Sequence, residues 1–231
     1  MAPVSAAGLV TLADPYLLVR SRSTAAEFHA RAVPEPAHRE IWQHDIAGSA
    51  LVLGSTQHES VVDVDACRRA GVDVVRRRSG GGAVLLVPGE VTWIDVIVPA
   101  GTSGWSDDVH GPMVWLGGHL MSAIAAATGI DDLSVHDGAM ASTAWSKLVC
   151  FDGVGAGEVL VGGRKLVGLS QRRTRHAARL QCCWYSSYDA SRLVELLALP
   201  MRPEVGDLAS IATVPASASD AIVAILADTL A

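Results

Sequence analysis

The sequence predicts an α+β domain built on a mostly antiparallel, mixed sheet flanked by helices. Three observations point to it. Runs of β-branched and aliphatic residues are joined by tight turns at Pro88-Gly89 and Gly162-Gly163, the pattern of hairpins. The two clearest helical stretches, 112–128 and 219–230, stand apart from those hairpins instead of alternating with single strands. Half of the 231 residues are hydrophobic and 18% are charged, enough apolar material for a core and too little charge for a disordered chain.

The elements follow in order. Residues 1–45 are rich in Ala, Pro and His and carry the weakest pattern; 20–32 read as a helix that Pro34 and Pro36 then break. Residues 50–53 form a short apolar strand ending at Gly54. A helix over 63–70 places Cys67 on its inner face and stops at Gly71. Strand 72–76 runs into Arg77-Arg78-Ser79-Gly80-Gly81-Gly82. Strands 83–87 and 91–98 are expected to pair as a hairpin about Pro88-Gly89. Helix 112–128 has apolar residues at helical spacing and ends at Gly129. Segments 158–161 and 165–168 form the second hairpin. Residues 180–185 read as a strand, and 191–199 and 219–230 as helices, with Ser219 placed to cap the last. No repeat, low-complexity run or linker interrupts the chain, so 1–231 reads as one domain.

The bulk properties exclude several function classes. A net charge of −6 supplies no field that would favour nucleic acid or an anionic membrane. The six tryptophans are scattered and form no stacking platform. No apolar run approaches the ~20 residues of a membrane span, and no secretory signal is expected at the N-terminus. The four cysteines, Cys67, Cys150, Cys182 and Cys183, lack zinc-type spacing, so no metal site is expected, and adjacent Cys182 and Cys183 do not readily bridge each other. The chain reads as soluble, reduced and cytoplasmic.

Three segments carry chemistry. A thiol at Cys150 can hold an acyl group as a thioester, and an amine such as Lys165 beside it can favour the thiolate. Three glycines between strands permit a close backbone approach to a ligand, and their N–H groups can bind an oxygen. Arg77 or Arg78 can add a charge-assisted hydrogen bond. The loop is not a P-loop, since no GK[ST] follows. The bland alternatives are a core cysteine, a surface lysine near a turn and a hairpin glycine cluster. Arg172, Arg173 and Arg175 read equally as a solvated turn or as a docking patch for an acidic carrier. His136 beside Asp137 reads as loop structure, Cys67 as helix packing, and one of Cys182 and Cys183 as core.

The run RRRSGGGAV (76–84) is similar to the signature of the biotin/lipoate A/B protein ligase superfamily. GGRKLVGLSQRR (162–173) resembles that family's GxKxxGxAQ segment, and VCFD (149–152) resembles the cysteine segment of its octanoyltransferase branch. The blocks stand in the family's order and at roughly its spacing. The resemblance implies the lipoate/biotin protein ligase catalytic-domain fold. It implies transfer of an octanoyl or lipoyl group to a lysine of a lipoyl domain, from acyl carrier protein through a Cys150 thioester. Lys165 is then expected to stabilise the thiolate, and in its neutral form to take a proton from the target lysine. Arg77, Ser79, Gly80, Gly81, Gly82, Ala83, Val84, Leu85, Gly168, Ser170 and Gln171 are expected to bind the acyl or lipoyl group. The implied partners are acyl carrier protein and the lipoyl domains of glycine cleavage H protein or 2-oxoacid dehydrogenase E2. No cofactor is needed on this reading. An ATP-dependent lipoate ligase, needing ATP and Mg²⁺, and a non-catalytic binding homologue are the alternatives. The chain departs from the family pattern at Leu86, where relatives carry a histidine, at Gly168-Leu169-Ser170-Gln171, at Cys182-Cys183-Trp184 and across 152–157. It is expected to lack the accessory domain of larger ligases.

Overall fold

The computed structural model describes residues 15–198 and 202–230. Expectations for 1–14 fall outside them; the helix expected over 191–199 instead stops at Val194, because Glu195 and Leu196 form a turn and Leu197 bridges to Val62. The elements are β1 (Leu17–Ser23), α1 (Ala25–Ala30), β2 (Glu40–Ile46), β3 (Ala50–Leu53), α2 (Val64–Arg69), β4 (Asp73–Arg76), β5 (Val84–Leu86), β6 (Val91–Pro99), α3 (His110–Thr128), β7 (Leu133–Val135), β8 (Val159–Val161), β9 (Arg164–Arg173), β10 (Ala177–Tyr185), α4 (Ala190–Val194) and α5 (Ser219–Thr229). A seven-stranded sheet runs β1-β2-β6-β10-β9-β8-β7 and a three-stranded sheet runs β4-β3-β5. β1–β2 and β3–β4 are parallel; the other pairs are antiparallel. The α+β class with a mixed sheet and flanking helices is the fold observed.

One face of the large sheet packs on α3 and α5. Leu116, Leu120 and Ile124 from α3 and Ile222, Val223 and Leu226 from α5 meet Ile94, Val96, Val167, Leu180 and Trp184 in one buried cluster. The helices lie there because their apolar residues recur at three- and four-residue spacing. Gly129 (φ +74) ends α3 in the left-handed region that glycine tolerates. The opposite face supports α1 and the small sheet, and a pocket lies between.

Four further sequence expectations are corrected. Residues 20–23 belong to β1, not to a helix; α1 begins only after Thr24, which caps it in a capping box with Glu27. Strand β2 was not expected, because its buried His44 breaks the apolar alternation; the polar ring is tolerated there because Asp95 Oδ2 sits 2.8 Å from its Nε2. β5 and β6 do not pair with each other: β5 pairs with β3, whereas β6 lies between β2 and β10. Each finds a longer or better-matched partner in a different sheet, and Gly89 (φ +78) turns the chain between them. Ser219 does not cap α5; its Oγ accepts from Thr92 Oγ1 at 2.8 Å and Trp184 Nε1 at 3.2 Å.

A buried ionic cluster fixes α1 over the sheet. Asp95 is fully buried and accepts from Trp93 Nε1 (3.0 Å) and Arg179 Nε (2.9 Å). Arg179 also donates to the carbonyls of Phe28 and Arg31, each at 2.7 Å. The end of α1 is thereby tied to β10, and His29 is carried to the pocket.

Candidate functional site

The cysteine segment docks directly on the glycine loop. Ala83 N donates to Leu148 O (2.8 Å) and Cys150 N to Ala83 O (3.0 Å), a parallel bridge between Ala83 and Val149. A Cβ on Gly82 would lie 2.6 Å from Cys150 N and from Val149 C, so the third glycine is dictated by this contact. Gly81 has φ +99, and a Cβ built on it would sit 3.7 Å from Cys150 Sγ. The thiol therefore lies against the loop. The N–H groups of Gly80, Gly81 and Gly82 make no hydrogen bond to any described residue.

Arg77 is buried and spent on the loop itself. Its Nη2 donates to Gly80 O and Gly82 O, both at 2.8 Å, and its Nε to Gly80 O at 3.1 Å. Ser79 Oγ is 3.0 Å from Ser170 Oγ and donates to Gln181 Oε1 at 3.3 Å, joining the loop to β9 and β10.

Lys165 projects from β9 beneath the cysteine and is 3% exposed. Its ammonium donates to Cys150 O and Gly153 O, each at 3.0 Å, and pairs with Glu158 Oε1 at 2.7 Å. Three acceptors match three protons. Glu158 is itself buried and accepts from Leu169 N (3.0 Å) and Gly155 N (2.8 Å). Burial by itself would lower the pKa of Lys165, but Cys150 and Glu158 raise it by more, and the net shift is upward. The amine stays charged, which argues against its expected use as a neutral base.

The pocket is lined by His29, Val52, Arg77, Val84, Leu86, Trp93, Cys150, Phe151, Gly168, Leu169, Ser170, Gln181, Cys182 and Cys183. Gly80 and Gly81 are exposed at its mouth beside Cys150, whereas Val84, Leu86 and Trp93 are buried at its floor. Its open space is about 50 Å³, well under the roughly 300 Å³ at which small-molecule pockets begin. A long acyl chain enters only if the lining side chains part.

Alternation along the strands sorts the expected residues. Gly168, Ser170 and Arg172 share one face of β9, opposite Cys183, Gln181 and Arg179 of β10. Gln171 faces the other way, toward α3, with both amide atoms buried and unpartnered among the described residues. Leu85 likewise turns from the pocket into the cluster of Leu51 and Leu53, while Val84 and Leu86 line it. Ala83 packs in that same cluster. Cys182 is buried on the helix side; Cys183 faces the pocket, where burial, and then the nearby Cys150, push its thiol up to about 12. It stays protonated and is no second nucleophile. Cys67 is buried in α2, and His136 holds a loop through Ala139 O at 2.8 Å.

Sequence reasoning missed Glu158, Asp152 and His29. Asp152 is buried, accepts from Thr143 Oγ1 and, at 2.6 Å, from Ala209 N, and so fixes the turn Cys150–Asp152. Only a buried-position carboxylate beside the cysteine motif hinted at it. His29 stands 4.6 Å from the Trp93 ring and accepts from Gln181 Nε2 at 3.5 Å. Burial, aided by Arg179, Arg77 and His44, lowers its pKa to about 3 against the opposing pull of Asp95. The unfolded chain binds this proton below about pH 6.5 and the folded chain does not, so stability is full above 6.5 and falls as pH drops toward 3. Between pH 7 and 5, urea titrations should show wild type losing about 1–2 kcal/mol more than His29→Gln. Equal losses would remove His29 as the source.

Among the described residues, no helix is long and apolar enough to cross a membrane, and no group of three or more His, Cys, Asp and Glu is placed to hold a metal ion.

Comparisons with known proteins agree with this fold. Residues 30–228 match the family model of the lipoyl protein ligase A/B catalytic domain. Among curated proteins, no sequence matches. A crystal structure of lipoate-protein ligase A bound with ATP superposes with a TM-score of 0.68 at 16% identity, covering 94% of this chain and 86% of that one. Protein Ta0514 of T. acidophilum with bound lipoic acid gives 0.63 at 16% identity over the same shares. The bipartite lipoate protein ligase of Thermoplasma acidophilum, described with its E2 lipoyl domain, gives 0.58 at 16% identity, covering 94% and 84%.

Proposed function

Because the chain belongs to the lipoyl protein ligase A/B catalytic-domain family, we propose that it transfers an octanoyl or lipoyl group to a specific lysine of a lipoyl domain through a thioester on Cys150. The observation that carries this reading is the thiol set against the glycine loop at the mouth of an apolar pocket, with the buried Lys165–Glu158 pair beneath it. Acyl carrier protein is the proposed donor, and the lipoyl domain as acceptor is supported by the archaeal ligase studied with its E2 lipoyl domain.

In the first step the Cys150 thiolate attacks the donor's thioester carbonyl. The carbon–sulfur bond to the donor breaks, and the donor sulfur leaves as a thiol by taking up, through solvent, the proton that Cys150 released on ionising. The unpaired N–H groups of the glycine loop face the developing oxyanion, and the fixed positive charge of Lys165 stabilises negative charge on the sulfur. In the second step the neutral amine of the target lysine attacks the Cys150 thioester. The amide bond forms, the carbon–sulfur bond breaks, and the amine's proton passes to the departing Cys150 sulfur. Because Cys150 and Glu158 raise the pKa of Lys165 and Glu158 pairs with it, its role is electrostatic.

The ATP-dependent ligase is the second reading, favoured by the likeness to the ATP-bound ligase. Among the described residues no carboxylate lines the pocket, so Mg²⁺ would be held there chiefly by the nucleotide's own phosphates and water. Intact-protein mass spectrometry after mixing with octanoyl-acyl carrier protein, without ATP, separates the two. An octanoyl adduct on wild type and none on Cys150→Ala is expected. Absence of an adduct, together with lipoyl transfer that needs ATP and survives Cys150→Ala, would establish the ligase.

A further inference from the structure

We propose that Arg78 and Arg172 form an anion site at the pocket mouth for the phosphate of a phosphopantetheine-type thioester donor, a proposal that rests on the acyl-transfer reading above. Arg78 is exposed and directly precedes Ser79, the residue whose Oγ touches Ser170 at 3.0 Å. Arg172 lies two residues beyond Ser170 on the same face of β9. The Ser79–Ser170 contact therefore brings the two arginines to one rim.

Neither guanidinium makes a hydrogen bond or ion pair with any described residue. Three neighbouring cations are engaged: Arg77 by loop carbonyls, Arg179 by Asp95, Lys165 by Glu158. Arg172 is only partly exposed, and burial, then Arg78 and Arg179, lower its pKa. Two close, unpaired arginines repel each other, and a forked pair of this kind suits a phosphate that accepts from both.

Position says which phosphate. Arg172 stands four residues past Gly168, whose backbone meets Phe151 beside Cys150, which is about 13 Å along the strand. A phosphate at the end of a long thioester arm reaches that rim while the carbonyl stays at Cys150. The mouth is also on the correct side, since exposed Gly80 and Gly81 border it and the buried floor leads the other way.

The test compares octanoyl-4′-phosphopantetheine with octanoyl-pantetheine, which differ by one phosphate. Rates of Cys150 acylation are read by mass spectrometry for wild type, Arg78→Gln, Arg172→Gln and Arg172→Lys. Wild type should use the phosphorylated donor about ten- to a hundredfold better in kcat/KM. Both glutamine variants should lose most of that preference through KM and keep the wild-type rate on octanoyl-pantetheine. Arg172→Lys should retain part of it. Equal use of the two donors by wild type would overturn the site and leave the acyl-transfer reading standing. If neither donor acylates Cys150, the acyl-transfer reading fails. Calorimetry with phosphopantetheine itself then decides the anion site: binding lost in Arg172→Gln supports it, and no binding or equal binding rejects it.

Discussion

Lys165→Met is expected to lose both stability and rate, and a second substitution should separate the two. Removing the ammonium strands the Glu158 carboxylate, 3% exposed, with two backbone N–H groups and no countercharge. Breaking a buried pair in this way costs about 3–5 kcal/mol, a large share of the roughly 5–15 kcal/mol that holds a domain together. Adding Glu158→Gln removes the stranded charge, and a neutral side chain can still accept from Leu169 N or Gly155 N. The double variant should recover at least half of the lost stability in urea titrations. Its acylation rate at Cys150 should remain about 10²–10³ below wild type, the usual effect of losing one fixed electrostatic group. A double variant that regains the rate along with the stability would make Lys165 a purely structural residue.

Asp95→Ala should be about as damaging to stability, for a different reason. The substitution removes the only carboxylate bonded to Arg179 among the described residues, and the partner of His44 Nε2 and Trp93 Nε1. A guanidinium 2% exposed is then left without its counterion, again at about 3–5 kcal/mol. Arg179 also carries the end of α1 through Phe28 O and Arg31 O, so amide exchange across 25–30 should accelerate more than exchange in α3. A loss under about 1 kcal/mol would mean that water reaches the cluster. Burial alone would raise the pKa of Asp95, but His44 and then Arg179 outweigh it and hold the carboxyl below its ordinary range. Its contribution is therefore complete above about pH 4 and fades as the pH falls further.

The site was legible where chemistry is written into local motifs. The thiol at Cys150, the amine at Lys165 and the three glycines were singled out as residue types; in the fold Cys150 lies against the glycine loop and Lys165 donates to the Cys150 carbonyl from below. The steric demand on Gly82 shows why: a glycine there lets the cysteine strand lie on the loop, so the two motifs are parts of one contact. Gln171 and Leu85 show where such reading ends. A motif names a strand, but which of its alternate residues face the ligand depends on the phase set by pairing with β10 and β3.

The same division holds for the whole chain. Composition and local pattern by themselves determined an α+β domain, the strands from β3 to β6, the hairpin of β8 and β9, and helices α2, α3 and α5, because these rest on contacts within a few residues. Tertiary structure alone decided that β5 and β6 belong to different sheets, that β1 and β2 are strands, and that Glu158 pairs with Lys165. It also decided that His29 reaches the pocket by way of Asp95 and Arg179. In each of these the partner lies elsewhere in the chain, and burial against that partner is worth more than the local preference it overrides.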